Sequence, residues 1–261
     1  MNQKDFHLPD AYQLIHRHTV GSTMDEASVV AQQQVVDHPV VIVADQQNKG
    51  RGRKGRTWVS LPGNLYLSLL FKLPPETPYV AHYAYLAALC VEQALRSFPE
   101  VPVLHFKWPN DLMIEGKKLG GILLERVKDS SGDHCLVIGV GLNLQHAPVE
   151  HALYPVTVLN DHIQTPLAIH SLVEKLCHQF SKWQTRYHKE GFACVREAWL
   201  EHAYQPGDEM TVMHEKGAQE GYFHGIDIDG SLLLSNRHKK IIKILTGDVA
   251  LVTDRGREKV I

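Results

Sequence analysis

The chain has 261 residues, 44% of them hydrophobic and 21% charged, and its net charge of −2 at pH 7 argues against a basic nucleic-acid-binding face. Four scattered cysteines without a Cys-x-x-Cys pair exclude a disulfide framework, and the 17 histidines show no zinc-type spacing. The N-terminus lacks the apolar core of a signal peptide and no apolar run approaches the ~20 residues of a membrane span, so we expect a cytoplasmic protein without a membrane partner.

The first 204 residues mix the apolar spacing of strands with that of helices. Strands are predicted over 40–44, 65–71, 103–106, 112–114, 119–127 and 134–144. Helices are predicted over 22–36, 79–98, 166–187 and 192–200, the first of them capped by the hydroxyls of Ser22 and Thr23. Residues 1–21 are too short to fold alone and should lie against this domain. The pattern predicts an α/β (α+β) domain, a mixed sheet backed by helices, over residues 1–204.

The character of the chain changes after Gln205-Pro-Gly207. Short strands without a helix between them are predicted over 210–213, 219–226, 231–234, 240–245 and 248–252. Closely spaced short strands punctuated by glycine are typical of a small antiparallel barrel. We therefore predict a second domain over 205–261 with an SH3-like β-barrel.

The most unusual segment is the basic loop, defined as residues 48–58. It contains five cations and no carboxylate, with glycines interleaved at 50, 52 and 55. Glycine disfavours a stable helix or strand but permits close backbone approach, and arginine offers donors matched to phosphate. In isolation such a run is more often a solvated basic loop or a nucleic-acid tail. Here an apolar run at 40–44 and an alternating run at 64–71 flank it, which favours an active-site loop that handles phosphate.

Two further glycine-containing segments carry candidate functional residues. Lys107-Trp-Pro-Asn-Asp111 precedes Lys118-Leu-Gly-Gly121, whose lysine could point into a cleft and steady a phosphate or oxyanion; the alternative is an exposed hairpin lysine. In Gly139-Val-Gly-Leu-Asn143 no third glycine and no helix start follow, so a dinucleotide fingerprint is rejected. Glycines inside a strand instead mark close approach of the backbone to a ligand or neighbour.

Taken together and in this order, these segments resemble the biotin–protein ligases best known from bacteria. The resemblance covers nearly the whole chain from about residue 15 and implies a class II synthetase-like biotin/lipoate ligase domain followed by the small barrel. It implies that ATP and biotin are substrates, used with Mg²⁺, and that biotinyl-5′-AMP is the intermediate. The implied partner is the biotin carrier domain of a biotin-dependent carboxylase, whose lysine receives the biotinyl group.

The resemblance also implies site residues. Those expected to bind biotin or biotinyl-AMP are Ser22, Thr23, Gln47, Arg51, Gly52, Arg53, Trp58 and Lys118. Among them, Lys118, Arg51 and Arg53 are expected to be catalytic, acting on the carboxylate and the phosphate. Asn110, Asp111 and Asn143 are expected to place the nucleotide or magnesium, and no structural metal site is expected.

This chain departs from the family pattern at Met24, where asparagine is usual, and at Asn48-Lys49, which adds a cation. The 21 residues before Ser22 leave no room for the DNA-binding domain of some members, so we expect a ligase without a DNA partner. The sequence leaves a homodimer open. One alternative is a lipoate–protein ligase, which would use lipoate in place of biotin. Another is a nucleic-acid-binding protein, which would bind RNA or DNA in a salt-dependent way. A third is a ligand-binding sensor that has lost catalysis.

Overall fold

The computed structural model describes residues 5–148, 155–214 and 217–251, which form two sheets and four α-helices. The strands of the larger sheet are β1 (Gln13–Val20), β2 (Val40–Gln47), β3 (Leu65–Lys72), β4 (His105–Lys107), β5 (Asp111–Ile114), β6 (Lys117–Lys128) and β7 (His134–Leu142). The helices are α1 (Thr23–Gln33), α2 (His82–Arg96), α3 (Ile169–Glu190) and α4 (Phe192–Leu200). The strand order is β1-β2-β3-β7-β6-β5-β4. Because β1 and β2 are parallel and the other pairs antiparallel, the sheet is mixed, as predicted.

Successive residues of the central strands point to opposite faces of the sheet and pack against different helices. Ile42, Leu70 and Val137 pack with α1 in one apolar cluster. Val41, Leu69 and the other residues that point to the opposite face belong to the main core, with α2, α3 and α4. Successive side chains of a strand point to opposite faces, so a sheet covered on both sides requires continuous apolar runs. The run at 40–44 satisfies that requirement.

Local sequence signals account for several boundaries. Helix α1 begins after Ser22, whose hydroxyl accepts a hydrogen bond from the Met24 N–H at 3.3 Å. Strands β5 and β6 are joined through Glu115 and Gly116, which have φ values of 50° and 75°. Positive φ at both central residues matches the turn geometry that right-twisted hairpins favour. The segment before Ser22, expected to lie against the domain, does so as the edge strand β1.

The smaller sheet is entirely antiparallel, with the order β11-β10-β9-β8-β12. Its strands are β8 (Glu209–His214), β9 (Gly217–Ile226), β10 (Leu232–Ser235), β11 (Ile241–Ile244) and β12 (Asp248–Leu251). All five predicted strands are present, and residue 252, predicted to end the fifth, lies outside the described residues. The hydroxyl of Tyr85 and the indole N–H of Trp108 both donate to the Gly230 carbonyl, at 2.5 and 3.2 Å. These bonds and a continuous apolar core hold the smaller sheet against α2.

Across the described ranges, none of the helices combines the length and the apolar character that a bilayer span requires.

Candidate active site

A cavity of about 550 Å³ opens on the larger sheet, bounded by the start of α1, the end of β2, the basic loop, β6, β7 and the start of β12. Most of the predicted site residues line it: Ser22, Thr23, Gln47, Arg51, Gly52, Arg53, Trp58, Asn110, Asp111 and Lys118. Asn143 is not among the lining residues. The fold therefore brings together residues that are almost 100 positions apart in the sequence.

One end of the cavity is built from hydroxyl and amide groups that orient one another. The Thr23 N–H and hydroxyl both donate to Gln47 Oε1, at 2.8 and 3.2 Å, and the Ser68 hydroxyl donates to Thr23 Oγ1 at 2.9 Å. Gln47 Nε2 donates to Ser60 Oγ at 2.8 Å. Thr23 and Ser68 are almost fully buried, and these bonds hold their side chains in place. This end can donate to and accept from a small polar ligand group.

The middle of the cavity has apolar walls that depend on two glycines of β7. A Cβ on Gly141 would lie 2.8 Å from Cε2 and Nε1 of Trp58, so the indole ring rests directly on the glycine backbone. A Cβ on Gly139 would lie 2.5 Å from Sδ of Met24. Both distances are shorter than real carbon contacts, which explains why these strand positions lack a side chain. The apolar walls are therefore made by Trp58 and Met24.

The basic loop is a small hairpin with its own backbone hydrogen bonds. At its base the N–H groups of Asn48 and Lys49 donate to carbonyls of residues 20 and 21, at 2.9 and 2.7 Å. Higher up, Trp58 N–H donates to the Gly50 carbonyl at 2.8 Å, and Gly52 N–H donates to the carbonyl of residue 56 at 2.7 Å. A Cβ on Gly50 would lie 2.3 Å from the Trp58 carbonyl oxygen, so glycine is required where the hairpin closes.

Four cations of the hairpin contact carboxylates from three distant parts of the chain. Arg51 contacts Asp25 at 2.9 Å and Glu125 at 2.7 Å. Arg53, Lys54 and Arg56 all contact Asp248, the first residue of β12: Arg53 and Lys54 at 3.4 Å and Arg56 at 2.7 Å. Burial alone would raise the pKa of the Asp248 carboxyl, but the hydrogen bond from Arg56 and the surrounding positive charges lower it below its usual value. The carboxylate therefore stays ionised and holds the tip of the hairpin.

Lys118 stands opposite the hairpin at the start of β6. Its Nζ donates to Asp111 Oδ1 at 2.5 Å and lies 5.6 Å from the centre of the Trp58 ring. Four cations (Arg51, Arg53, Arg56 and Lys118) line the cavity against two carboxylates (Asp111 and Asp248). The excess of positive charge suits a ligand that brings a carboxylate and a phosphate together.

The chain matches known ligases over most of its length. The model of the Biotin/lipoate A/B protein ligase family matches residues 18–143. The biotin–[acetyl-CoA-carboxylase] ligase of Paracoccus denitrificans is 32% identical over 198 residues, which is 74% of this chain and 82% of that protein. The bifunctional ligase/repressor BirA of Bacillus subtilis is 30% identical over 247 residues, 91% of this chain and 74% of that protein. The chain belongs to the biotin–protein ligase family.

Solved structures of this family agree with the fold. The biotin protein ligase from Aquifex aeolicus in complex with biotin and ATP superposes with a TM-score of 0.78 at 28% identity. The match covers 92% of this chain and 98% of that one. Membership of the biotin–protein ligases separates this chain from the lipoate–protein ligases.

Asn110 and Asn143, two of the residues predicted to place nucleotide or magnesium, form hydrogen bonds to other residues of this biotin–protein ligase. Asn110 donates from Nδ2 to the Ile122 carbonyl at 2.7 Å and accepts from Arg53 at 3.2 Å. Asn143 is buried outside the cavity wall, where its N–H donates to the Leu119 carbonyl at 2.8 Å. A role for Asn143 in nucleotide or magnesium binding stays a prediction.

Asp248 and the wall formed by Met24 are two features of the site that the sequence does not predict. Asp248 lies 192 to 195 positions from the cations that it contacts, so no spacing rule connects them. Met24 was singled out only as a departure from the family pattern. Met24 lies on α1, whereas Gly139, which accommodates it, lies on β7. The glycine inside that strand is the one available signal in the sequence.

Proposed function

We propose that this chain activates biotin with ATP as biotinyl-5′-AMP and then transfers the biotinyl group to a lysine of a biotin carrier domain, that of acetyl-CoA carboxylase. The observation that carries this proposal is the arrangement of the cavity. Thr23 and Gln47 form a polar end beside Met24, which rests on Gly139. Two residues further along β7, Trp58 rests on Gly141, and Lys118 of the cationic end lies 5.6 Å from the centre of the Trp58 ring. Biotin has the same order of groups, a polar ureido ring, an apolar chain and a carboxylate.

In the first step a carboxylate oxygen of biotin attacks the α-phosphorus of ATP, and the bond from that phosphorus to the bridging oxygen of pyrophosphate breaks. Two anions must approach each other, and fixed cations reduce their repulsion. Arg51 and Arg53 would contact the carboxylate and phosphate from the hairpin, with Gly52 allowing the backbone to come close. Lys118 would steady the junction from the opposite wall.

In the second step the neutral amine of the acceptor lysine attacks the acyl carbon of the mixed anhydride. The bond between that carbon and the phosphate oxygen breaks, AMP leaves, and the amine loses a proton to solvent. The intermediate is prone to hydrolysis, so it must be shielded from water until the acceptor arrives. The hairpin over the cavity, held at its tip by Asp248, is suited to provide that shield.

We propose that Mg²⁺ enters with the phosphates of ATP. Magnesium is usually held by one or two carboxylates together with substrate phosphates and water. Asp111, which lines the cavity beside Lys118, fits that requirement. No group of three or more metal-ligating side chains occurs in the described residues. Mg²⁺ would neutralise phosphate charge as pyrophosphate leaves.

We also propose that the chain divides into two domains between residues 204 and 205. The smaller sheet begins at Glu209, and its last strand supplies Asp248 to the cavity.

Pyrophosphate exchange into ATP tests the adenylation step without an acceptor protein. The purified chain is incubated with ATP, magnesium and labelled pyrophosphate, together with biotin, lipoate or no acid. Exchange that requires biotin is expected. Exchange with lipoate alone, or with neither acid in a folded sample, would contradict the proposal. Transfer is then measured by mass spectrometry of an isolated carrier domain and of the same domain with its acceptor lysine replaced by arginine.

A further inference from the structure

Met24 lies where the apolar core and the cavity meet. It is the second residue of α1 and is 4% exposed. Its side chain packs with the cluster of α1 and the sheet, and it also lines the cavity directly after Ser22 and Thr23. Two hydrogen bonds hold its backbone in place: its N–H donates to Ser22 Oγ at 3.3 Å, and its carbonyl accepts from the Ser28 hydroxyl at 3.0 Å. The side chain therefore enters the cavity from a rigid base.

The thioether of Met24 occupies space that a side chain at residue 139 would otherwise fill. A Cβ on Gly139 would lie 2.5 Å from Met24 Sδ and 3.2 Å from Cγ. A methyl group at residue 139 and the present methionine conformation therefore exclude each other. Methionine is unbranched and adapts to irregular spaces, so its end can fill the space beside the strand that the glycine leaves open. The two residues form one wall, here named the Met24–Gly139 wall.

This wall adjoins the polar end of the cavity. Thr23, the neighbour of Met24, is bonded to Gln47, and both are proposed to hold the ureido ring of biotin. A ring held there by its polar edge turns its other, sulfur-containing edge toward apolar surroundings. A polarizable thioether is a suitable contact for that edge. The size of the space left for the ring then depends on how far Met24 extends.

We propose that the Met24–Gly139 wall determines which ring systems the acid pocket accepts, and so makes Met24 a specificity-determining residue. The inference rests on the proposed function, because it assumes that the acid is biotin. Removing the three side-chain atoms beyond Cβ would enlarge the ring end of the pocket. Adding a methyl group at residue 139 would push Met24 into it.

The test compares biotin with biotin sulfone, whose ring sulfur carries two additional oxygens, in pyrophosphate exchange by Met24→Ala. We expect the KM for biotin to rise about tenfold, as for the loss of a few apolar contacts in a pocket. The preference for biotin over the sulfone should fall at least tenfold, while kcat at saturating biotin should change less than about threefold. Met210→Ala is the matched control, because Met210 is a fully buried methionine that is not among the cavity-lining residues.

Two further variants keep the test decisive if Met24→Ala folds poorly. Met24→Leu retains most of the volume and should still shift the preference for biotin about threefold. Gly139→Ala should raise the KM for biotin, and the double variant Gly139→Ala with Met24→Ala should recover part of that loss, since the added methyl takes vacated space. An unchanged preference in these folded variants, with normal biotin-dependent exchange by the unmodified chain, would overturn the inference alone. Absence of biotin-dependent exchange by the unmodified chain would overturn the proposed function and this inference with it.

Discussion

Replacing Asp248 with asparagine removes a carboxylate charge that contacts three cations of the basic loop, while keeping the shape of the side chain. In the structure Asp248 is 15% exposed and lies 2.7 Å from Arg56, and Arg53 and Lys54 are each 3.4 Å away. The backbone bonds at the base of the hairpin do not involve this residue. The variant should therefore loosen the tip of the hairpin and leave its base in place.

The expected magnitude follows from the exposure of the partners. Arg56 and Lys54 are 43% and 36% exposed, so solvent screens much of their attraction to Asp248. Exposed ion pairs contribute about 0.2–1 kcal/mol each, and a charge-assisted hydrogen bond that is partly buried contributes about 1.5–3 kcal/mol. We expect a total loss of about 1.5 kcal/mol and a fall in Tm of about 3–6 °C. The same loss would raise the open fraction of the hairpin about tenfold.

Dissociation of biotinyl-5′-AMP is the relevant measurement, because an open hairpin releases the intermediate. Rapid filtration or stopped-flow chase should show dissociation about tenfold faster in Asp248→Asn. Asp133→Asn is the control, since Asp133 pairs with Lys72 at a half-exposed position and is not a cavity-lining residue; it should change neither rate nor Tm appreciably. Unchanged adenylate dissociation in Asp248→Asn, despite the expected fall in Tm, would refute the argument that Asp248 positions the hairpin.

Three other predictions concern adenylation, the apolar wall and acid stability. Lys118→Met should lower kcat for biotin-dependent pyrophosphate exchange about 10²- to 10³-fold by removing a cation from the reacting charge; a rate within threefold of the unmodified chain would exclude that role. Gly141→Ala should displace the Trp58 ring and raise the KM for biotin about tenfold, whereas Gly21→Ala, which has no atom within 4 Å of the added carbon, should not. Hydrogen bonds from a serine hydroxyl and from backbone N–H groups lower the pKa of Asp129 from 3.8 to about 2. Its ionised form therefore stabilises the fold above about pH 4, and this contribution is lost as the pH falls toward 2; urea unfolding of Asp129→Asn should lack that part of the pH dependence.

Much of the fold could be predicted because the relevant signals are local. The hydroxyl cap at Ser22 predicts the start of α1, and glycines that punctuate short apolar runs predict the five strands after residue 205. The edge strand β1 had no comparable signal. Its residues are mostly exposed or half-buried, so they show no apolar alternation, and β2 supplies their partners.

The sequence by itself determined every α-helix and strand except β1, the cationic character of the loop and the ligase family, because these depend on residue types at short spacings. Only the tertiary structure decided which carboxylates the cations of the loop contact and which residues form the apolar wall. Asp248 reaches Arg53 across 195 positions, and Met24 meets Gly139 because α1 packs on β7. The tertiary structure also places Asn143 behind the cavity wall, although Gly141 of the same segment lines the cavity. Such contacts arise from the packing of two sheets and a helix, and the period of a single strand or helix carries no information about them.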